Sequence, residues 1–437
     1  MLEIRGQCTR RGFLRLGTLG AAGLATLPAS AAPARRDTAV ILFWMAGGPS
    51  HIDSYDMKPD APAEIRGPFQ SVATRLPGFR VNELMPRHAQ IADRLAIVRS
   101  LHHSLHVHDD ASHWVQTGYP LLNARERGQL HPAQGAVVAR VRGPLQEGMP
   151  PYVCIPEAYS SPRGFYQRSA YLGKRYDPLN AGGDPSLGNY RAPDFTLPAD
   201  VTMPRLEHRR ELLHLVDGAL RQAEGNGARQ ALTEVQEAAF ALLTQKRVRE
   251  AFDIAREPLP LRERYGRHAY GQSALLARRM VEAGVTFVTI NLYEADVDWW
   301  DDHYTIEKNL RKRLPIFDQA VAALIDDLAD RGLSERVLVA AFGEFGRSPR
   351  INEKDAGRGH WARAMAAMLA GGGVKGGQIV GSTIKDGGEP YERLLLPGDL
   401  LATIYRVLGI DHELMLPDRQ NRPTRLVDPG QPIAELF

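Results

Sequence analysis

Two hydrophobic patterns alternate along most of the chain. One is the short unbroken apolar run, seen at 38–45 (Thr-Ala-Val-Ile-Leu-Phe-Trp-Met), 285–292 and 337–342. Runs of this length, rich in β-branched and aromatic residues, predict strands buried on both faces. Shorter runs at 95–98, 152–155 and 378–380 predict three more. The other pattern is apolar spacing of three and four residues. It predicts helices over 111–117, 271–283, 361–370 and 397–408, a turn of helix carrying Leu84, His88 and Ile91, and a long helix over 306–331. In that long helix Leu310, Leu314, Phe317, Val321, Leu324, Ile325 and Leu328 form one stripe, with Pro315 as a possible kink. Strands alternating with helices predict an α/β fold with a mostly parallel central sheet sandwiched between helices. From 143 to 204 the pattern dissolves into Pro- and Gly-rich sequence, followed by Ala-, Glu- and Arg-rich helical stretches at 205–222 and 229–256. This predicts a loop-rich and helical insertion over about 143–260 within a single domain spanning 37–437.

Polar chemistry gathers just after the predicted strands. The first strand runs into Gly47-Gly48-Pro49-Ser50-His51-Ile52-Asp53, and the strand at 285–292 leads to Trp299-Trp300-Asp301-Asp302-His303. The strand at 337–342 leads to Gly343-Glu344-Phe345-Gly346-Arg347 and then Gly359-His360-Trp361. After 95–98 come His102, His103, His106, His108 and His113, five of the chain's 14 histidines within twelve residues. Parallel strands joined by crossovers put such loops on one edge of the sheet. His51, Asp53, His108, Asp301, His303, Glu344 and His360 are therefore candidates to converge. Mixed carboxylate and imidazole donors suit zinc, manganese or iron better than calcium or magnesium, which prefer oxygen alone. Such a set serves metal-assisted hydrolysis. Arg347 either grips an anionic group or pairs with a nearby carboxylate. The blander reading of each loop is a solvated polar turn. Trp299 and Trp300 read as packing, His102 and His103 as packing or surface, and His88, His131, His208, His214, His268 and His412 as structural.

The N-terminus changes the picture of composition. Arg10-Arg11-Gly12-Phe13-Leu14, an apolar segment over 16–27 and Ala29-Ser30-Ala31 form a twin-arginine signal peptide over 1–31, with the twin-arginine translocase as the implied partner. The apolar segment is shorter than the roughly 20 residues a permanent span needs. The whole chain has 54 Lys+Arg and 51 Asp+Glu; removing four arginines and one glutamate of residues 1–31 leaves 50 of each. A balanced surface gives no electrostatic case for nucleic acid or an anionic membrane. Of two cysteines, only Cys154 lies beyond the signal, which excludes an intramolecular disulfide in the mature chain. Periplasmic or extracellular localisation follows as the expectation.

In combination, these motifs resemble a known family. Residues 46–56 and 58–62, Trp300-Asp301-Asp302-His303, Gly343 to Pro349, Gly359-His360-Trp361 and 371–377 (Gly-Gly-Gly-Val-Lys-Gly-Gly) look like the exported bacterial family called domain of unknown function 1501. The resemblance covers nearly the whole mature chain. It implies an alkaline phosphatase/sulfatase-like fold with divalent metals at the strand ends. By this resemblance Asp301, His303 and His360 would hold one ion, zinc foremost, with Glu344 at the position of a second. His51 or Asp53 would replace the metal-binding aspartate that phosphatases of the superfamily carry after their first strand, where this chain has Gly47-Gly48. The superfamily's Ser or Thr nucleophile falls at or near His108. Cys154-Ile155-Pro156 has half of the sulfatase pattern but lies too late in the chain, and no Gly-x-Ser-x-Gly elbow is present. The implied activity is hydrolysis of a small anionic phosphate or sulfate ester, with His108 and Arg347 as catalytic residues. The alternative is a non-catalytic periplasmic binding or assembly protein that keeps the fold and one metal.

Overall fold

The computed structural model describes residues 37–158, 166–190, 205, 207, 246–291 and 299–437. The expected signal peptide over 1–31 and most of the two helical stretches expected over 205–256 lie outside these residues. Eight strands form the central sheet: β1 (Ala39–Trp44), β2 (Ala96–Leu101), β3 (Tyr152–Ile155), β4 (Leu179–Asn180), β5 (Phe287–Asn291), β6 (Val337–Phe342), β7 (Met365–Gly371) and β8 (Gln378–Val380). Their spatial order is β8-β2-β7-β6-β1-β5-β3-β4. β1 lies in the middle, parallel to β5 through pairs such as Leu42 with Thr289 and to β6 through Leu42 with Ala340. Only β7 runs against the rest, antiparallel to both β6 and β2. β2 thus points the same way as β1, β5 and β6, and the carboxyl ends of all four share one edge.

Alternate residues of a strand face opposite sides of its sheet, and each side of β1 enters its own core. Ala39, Ile41 and Phe43 pack with α1 (Pro86–Ile91), α4 (Lys246–Phe252), α5 (Leu259–Tyr265), α6 (Ala269–Ala283) and α7 (Ile306–Asp330). Val40, Leu42 and Trp44 pack with Val115 of α2 (His108–Thr117), Val137 and Val138 of α3 (Gln134–Val141), and Leu400, Leu401 and Ile404 of α8 (Pro397–Val407). The result is a sheet between two helical layers. Burial on both faces is why β1, β5 and β6 read as unbroken apolar runs.

Two expectations change. The helix expected over 361–370 is instead the inner strand β7, preceded by a short ribbon in which His360 pairs with Arg347. Met365-Ala-Ala-Met-Leu-Ala370 has strong helix formers, but every one of these residues is buried between β2 and β6, and backbone pairing there outweighs propensity. Within the stretch expected as a loop-rich insertion, β3 falls at 152–155 where a strand was expected, and β4 is a further strand of the central sheet, with Val153 and Cys154 paired to Leu179 and Asn180. The tail after Asp411 contains an antiparallel ribbon of Met415–Pro417 with Pro423–Arg425.

Phe317 of α7 ties the layers together near the functional edge. Its ring meets Phe43 of β1 edge-on at 6.2 Å, Trp300 at 5.4 Å, and stacks on His88 at 5.5 Å. Replacing it with alanine removes all three contacts and leaves a cavity. Phe317→Ala is expected to cost about 3–5 kcal/mol in denaturant unfolding.

Candidate metal centre

Four loops from the carboxyl edge meet at Asp301. The loop after β1 turns through Gly47 and Gly48, with φ of 101° and 85°. At Gly47 a Cβ would lie 2.5 Å from the Asp301 amide nitrogen, so only glycine lets the two loops approach this closely. The Trp300 amide donates to the Ala46 carbonyl at 2.8 Å and fixes the approach. From the loop after β6, Arg347 spans the same junction. Its guanidinium donates to the carbonyls of Gly47, Gly48, Trp300 and Arg358, and to Asp301 Oδ1 at 2.6 Å.

Around Asp301 stand three imidazoles. His303 Nε2 lies 3.1 Å from Oδ1, and His360 Nε2 lies 3.2 Å from the same oxygen. The two Nε2 atoms are 2.8 Å apart. His108, the first residue of α2, approaches from the other side, with Nε2 3.2 Å from Oδ2. Its Nδ1 donates to Glu344 Oε1 at 2.7 Å, and that oxygen also accepts the Gly47 amide at 2.8 Å. The Phe345 ring sits against both His108 and His360, with centroids 5.1 and 4.6 Å away, and limits how either imidazole can turn.

The tautomer of His360 matters most. Its Nδ1 lies 2.8 Å from the His106 carbonyl oxygen, an acceptor only, so the ring's proton belongs on Nδ1 and the neutral ring presents a lone pair at Nε2. That lone pair faces a carboxylate oxygen and a second imidazole nitrogen. Donor atoms about 2.0–2.1 Å from a tetrahedral zinc lie about 3.3 Å from one another. Separations of 2.8, 3.1 and 3.2 Å are close to that edge, so the residues fit a small divalent cation. His108, Asp301 and His360 also form a group whose potential ligand atoms all lie within 4.8 Å of one another. The backbone carbonyl behind His360 and the guanidinium behind Asp301 are the supports that metal-binding rings and carboxylates ordinarily have.

The electrostatics assign different charges to the histidines. Burial acts to lower the His108 pKa, but its hydrogen bonds to Asp301 and Glu344 and the charges of both carboxylates raise it from 6.5 to about 9. Asp301 is opposed by burial, yet His108, His360 and Arg347 hold its carboxyl far below the usual range. Burial lowers His303, which favours the neutral ring a metal needs. Burial also brings His103 down to about 4; its Nε2 supports the Glu344 carbonyl at 2.7 Å.

The structure thus gathers His108, Asp301, His303, Glu344 and His360, and corrects three other assignments. Asp53 was expected as a ligand. Its carboxylate is fully buried and is taken by Arg358, at 2.7 and 3.1 Å, and by the Ser50 hydroxyl. His51 was expected beside it, but its Nε2 is bonded to the Gly387 carbonyl at 2.8 Å and its ring lies over Gly346. Arg347 was expected as a catalytic residue that either grips an anion or pairs with a nearby carboxylate; it is fully buried and its donors go to four carbonyls and Asp301, which is the second alternative. Its part is to orient Asp301. Sequence reasoning missed the His106 carbonyl, the Gly47 amide and Arg358; backbone groups leave no mark in a sequence, and one arginine among many gives no signal of its partner.

A family model described as "Protein of unknown function (DUF1501)" matches residues 37–437. The chain belongs to this family. Among solved structures, DUF1501 residues of this chain align with a sulfatase from Pseudoalteromonas sp. at 10% identity, over 92% of this chain and 72% of that one, with a TM-score of 0.39. A phosphonate monoester hydrolase from Silicibacter pomeroyi aligns at 12% identity over 90% and 74% of the two chains, with a TM-score of 0.33. The lipoteichoic acid synthase of Listeria monocytogenes aligns at 8% identity over 86% and 73%, with a TM-score of 0.35. At these TM-scores the likeness carries no weight for chemistry. No curated protein matches the chain. Among the described residues, no helix is long and apolar enough to cross a membrane.

The raised His108 pKa has a sign that can be tested. In the metal-free protein its protonated form contributes stability fully below pH 6.5, and that contribution is lost as pH rises through about 9. Metal affinity should move the other way over the same window, because an imidazolium beside the site opposes a cation. Thermal melts of chelator-treated protein should show the fall, calorimetric zinc titrations the rise, and His108→Ala should flatten both.

Proposed function

We propose that this protein is an exported, metal-dependent hydrolase of small phosphate or sulfate esters, with zinc the ion its donors suit best and manganese or iron next. One observation carries the reading: Asp301 Oδ1, His303 Nε2 and His360 Nε2 face one another at 2.8–3.2 Å, with the His360 proton placed on its far nitrogen. With the His303 proton on Nδ1 as well, three lone pairs face one another, and a cation between them turns that repulsion into ligation. When bound, a divalent ion supplies Lewis acidity toward the oxygens of an anionic ester.

The chain's own side chains would divide the remaining work. Asp301, His303 and His360 hold the ion, while Arg347 fixes the Asp301 carboxylate. His108 keeps a proton at Nε2 beside the site, where a departing ester oxygen would take it. Glu344 accepts from His108 Nδ1 and so fixes which way that proton points. Glu344 Oε2 is buried and has no hydrogen-bond partner among the described residues. An unpaired buried carboxylate oxygen is costly, which favours a donor or cationic ligand at that point. The Arg10-Arg11 signal supports export by the twin-arginine translocase to the periplasm or beyond.

A second reading has one observation in its favour. The family resemblance puts the superfamily's Ser or Thr nucleophile at or near His108, and a histidine stands there. A non-catalytic periplasmic binding or assembly protein would keep the metal without needing that group.

Metal analysis and turnover on aryl phosphate and sulfate esters separate these readings. The hydrolase reading expects close to one equivalent of a transition metal, measurable turnover, and loss of both in His360→Ala. Less than about 0.1 equivalent in the folded protein would remove the metal site. Bound metal with turnover no higher than His360→Ala would favour the binding protein.

A further inference from the structure

Between the two expected ligands of the 301–303 loop lies Asp302, which points the other way, into the protein. Its Oδ2 accepts from Arg313 Nη1 at 2.8 Å, and both side chains are 1% exposed. Its Oδ1 accepts from Asn309 Nδ2 at 3.1 Å, and its backbone carbonyl accepts the Arg358 amide at 2.9 Å. The Arg313 guanidinium also lies over the Trp300 ring, 4.9 Å from its centroid. Arg313 and Asn309 belong to α7, whose own position is set by the apolar stripe packed on the sheet. The loop is thus pinned from below by α7 and from above by the Gly47 turn.

A buried ion pair is a poor way to gain stability. Desolvation of two charges offsets most of their attraction, and apolar pairs of similar volume are often equally stable. The direction that Asp302 imposes on its neighbours is a different matter. The His303 amide donates to the Asp301 carbonyl at 2.9 Å, closing a three-residue turn with Asp302 at its apex, so anchoring the Asp302 side chain fixes the direction of Asp301 and His303 together. Second-tier partners of metal ligands commonly matter to affinity about 10–100-fold.

We propose that the Arg313–Asp302 pair is a positioning device that presents Asp301 and His303 to the metal, and that it serves metal affinity rather than stability. This rests on the reading of Asp301, His303 and His360 as a metal site. Neither Arg313 nor Asp302 touches the ion or the substrate.

The test is the double variant Asp302→Leu with Arg313→Met, which replaces the pair by apolar groups and leaves Asn309 bonded to the Tyr304 carbonyl. Zinc affinity is read by competition with a chromophoric chelator, and the metal-free forms are melted in parallel. The proposal expects the double variant to melt no lower than the parent yet to bind zinc at least about tenfold more weakly. Equal zinc affinity in parent and variant would overturn the positioning role while leaving the metal site intact. A parent that binds no zinc would overturn both. Should the double variant fail to fold, Asp302→Asn, which keeps the volume and weakens the pair, decides by the same two outcomes.

Discussion

The Asp301 carboxylate is the junction on which this edge of the molecule depends. One oxygen receives Arg347 and faces His303 and His360, while the other faces His108. Those residues come from the loops after β5, β6 and β2, and the Gly47 turn after β1 closes on the Asp301 amide. A single carboxylate therefore ties four strand ends together. Without a cation its surroundings are unbalanced: a guanidinium and an imidazolium draw its charge, yet the lone pair of His360 Nε2 is turned toward it.

That imbalance is maintained by rigid surroundings. Arg347 and Arg358 are each fully buried, and each satisfies backbone carbonyls from several loops as well as one carboxylate. Arginine suits this work because its planar fork serves several acceptors at once while staying charged. The Asp53–Arg358 pair holds the 350–359 loop beside the turn after β1, and the Arg313–Asp302 pair holds the ligand loop on α7. Buried charge is used here to fix where backbone runs, with the ligand side chains left partly open: His303 is 38% exposed and His108 and His360 are each 21% exposed.

Much of this was legible in residue type and order. β1, β5 and β6 show themselves as unbroken apolar runs because helices cover both faces of the sheet. Asp301, His303, Glu344 and His360 stand out because each follows a strand end, and a mostly parallel sheet sends such ends to one edge. By residue type His108 was one histidine among five, and only the family resemblance, which puts the superfamily's nucleophile at or near it, set it apart. What could not be read was partnership. Asp53 looks like a ligand until Arg358, 305 positions later, is seen to occupy it. Arg347 looks like an anion grip until the carbonyls of Gly47, Gly48, Trp300 and Arg358 are counted against its donors. The stretch over 365–370 has helix formers throughout, and only its place between β2 and β6 makes it a strand. Local sequence carries propensity; which group a side chain finds across 300 residues is settled by packing.

The most direct measurement is diffraction from zinc-loaded crystals at energies on either side of the zinc edge. A cation at this junction predicts an anomalous peak about 2.0–2.2 Å from Asp301 Oδ1, His303 Nε2 and His360 Nε2. A map with no zinc peak among these three atoms, and with the His303 and His360 rings still in contact, would contradict the account.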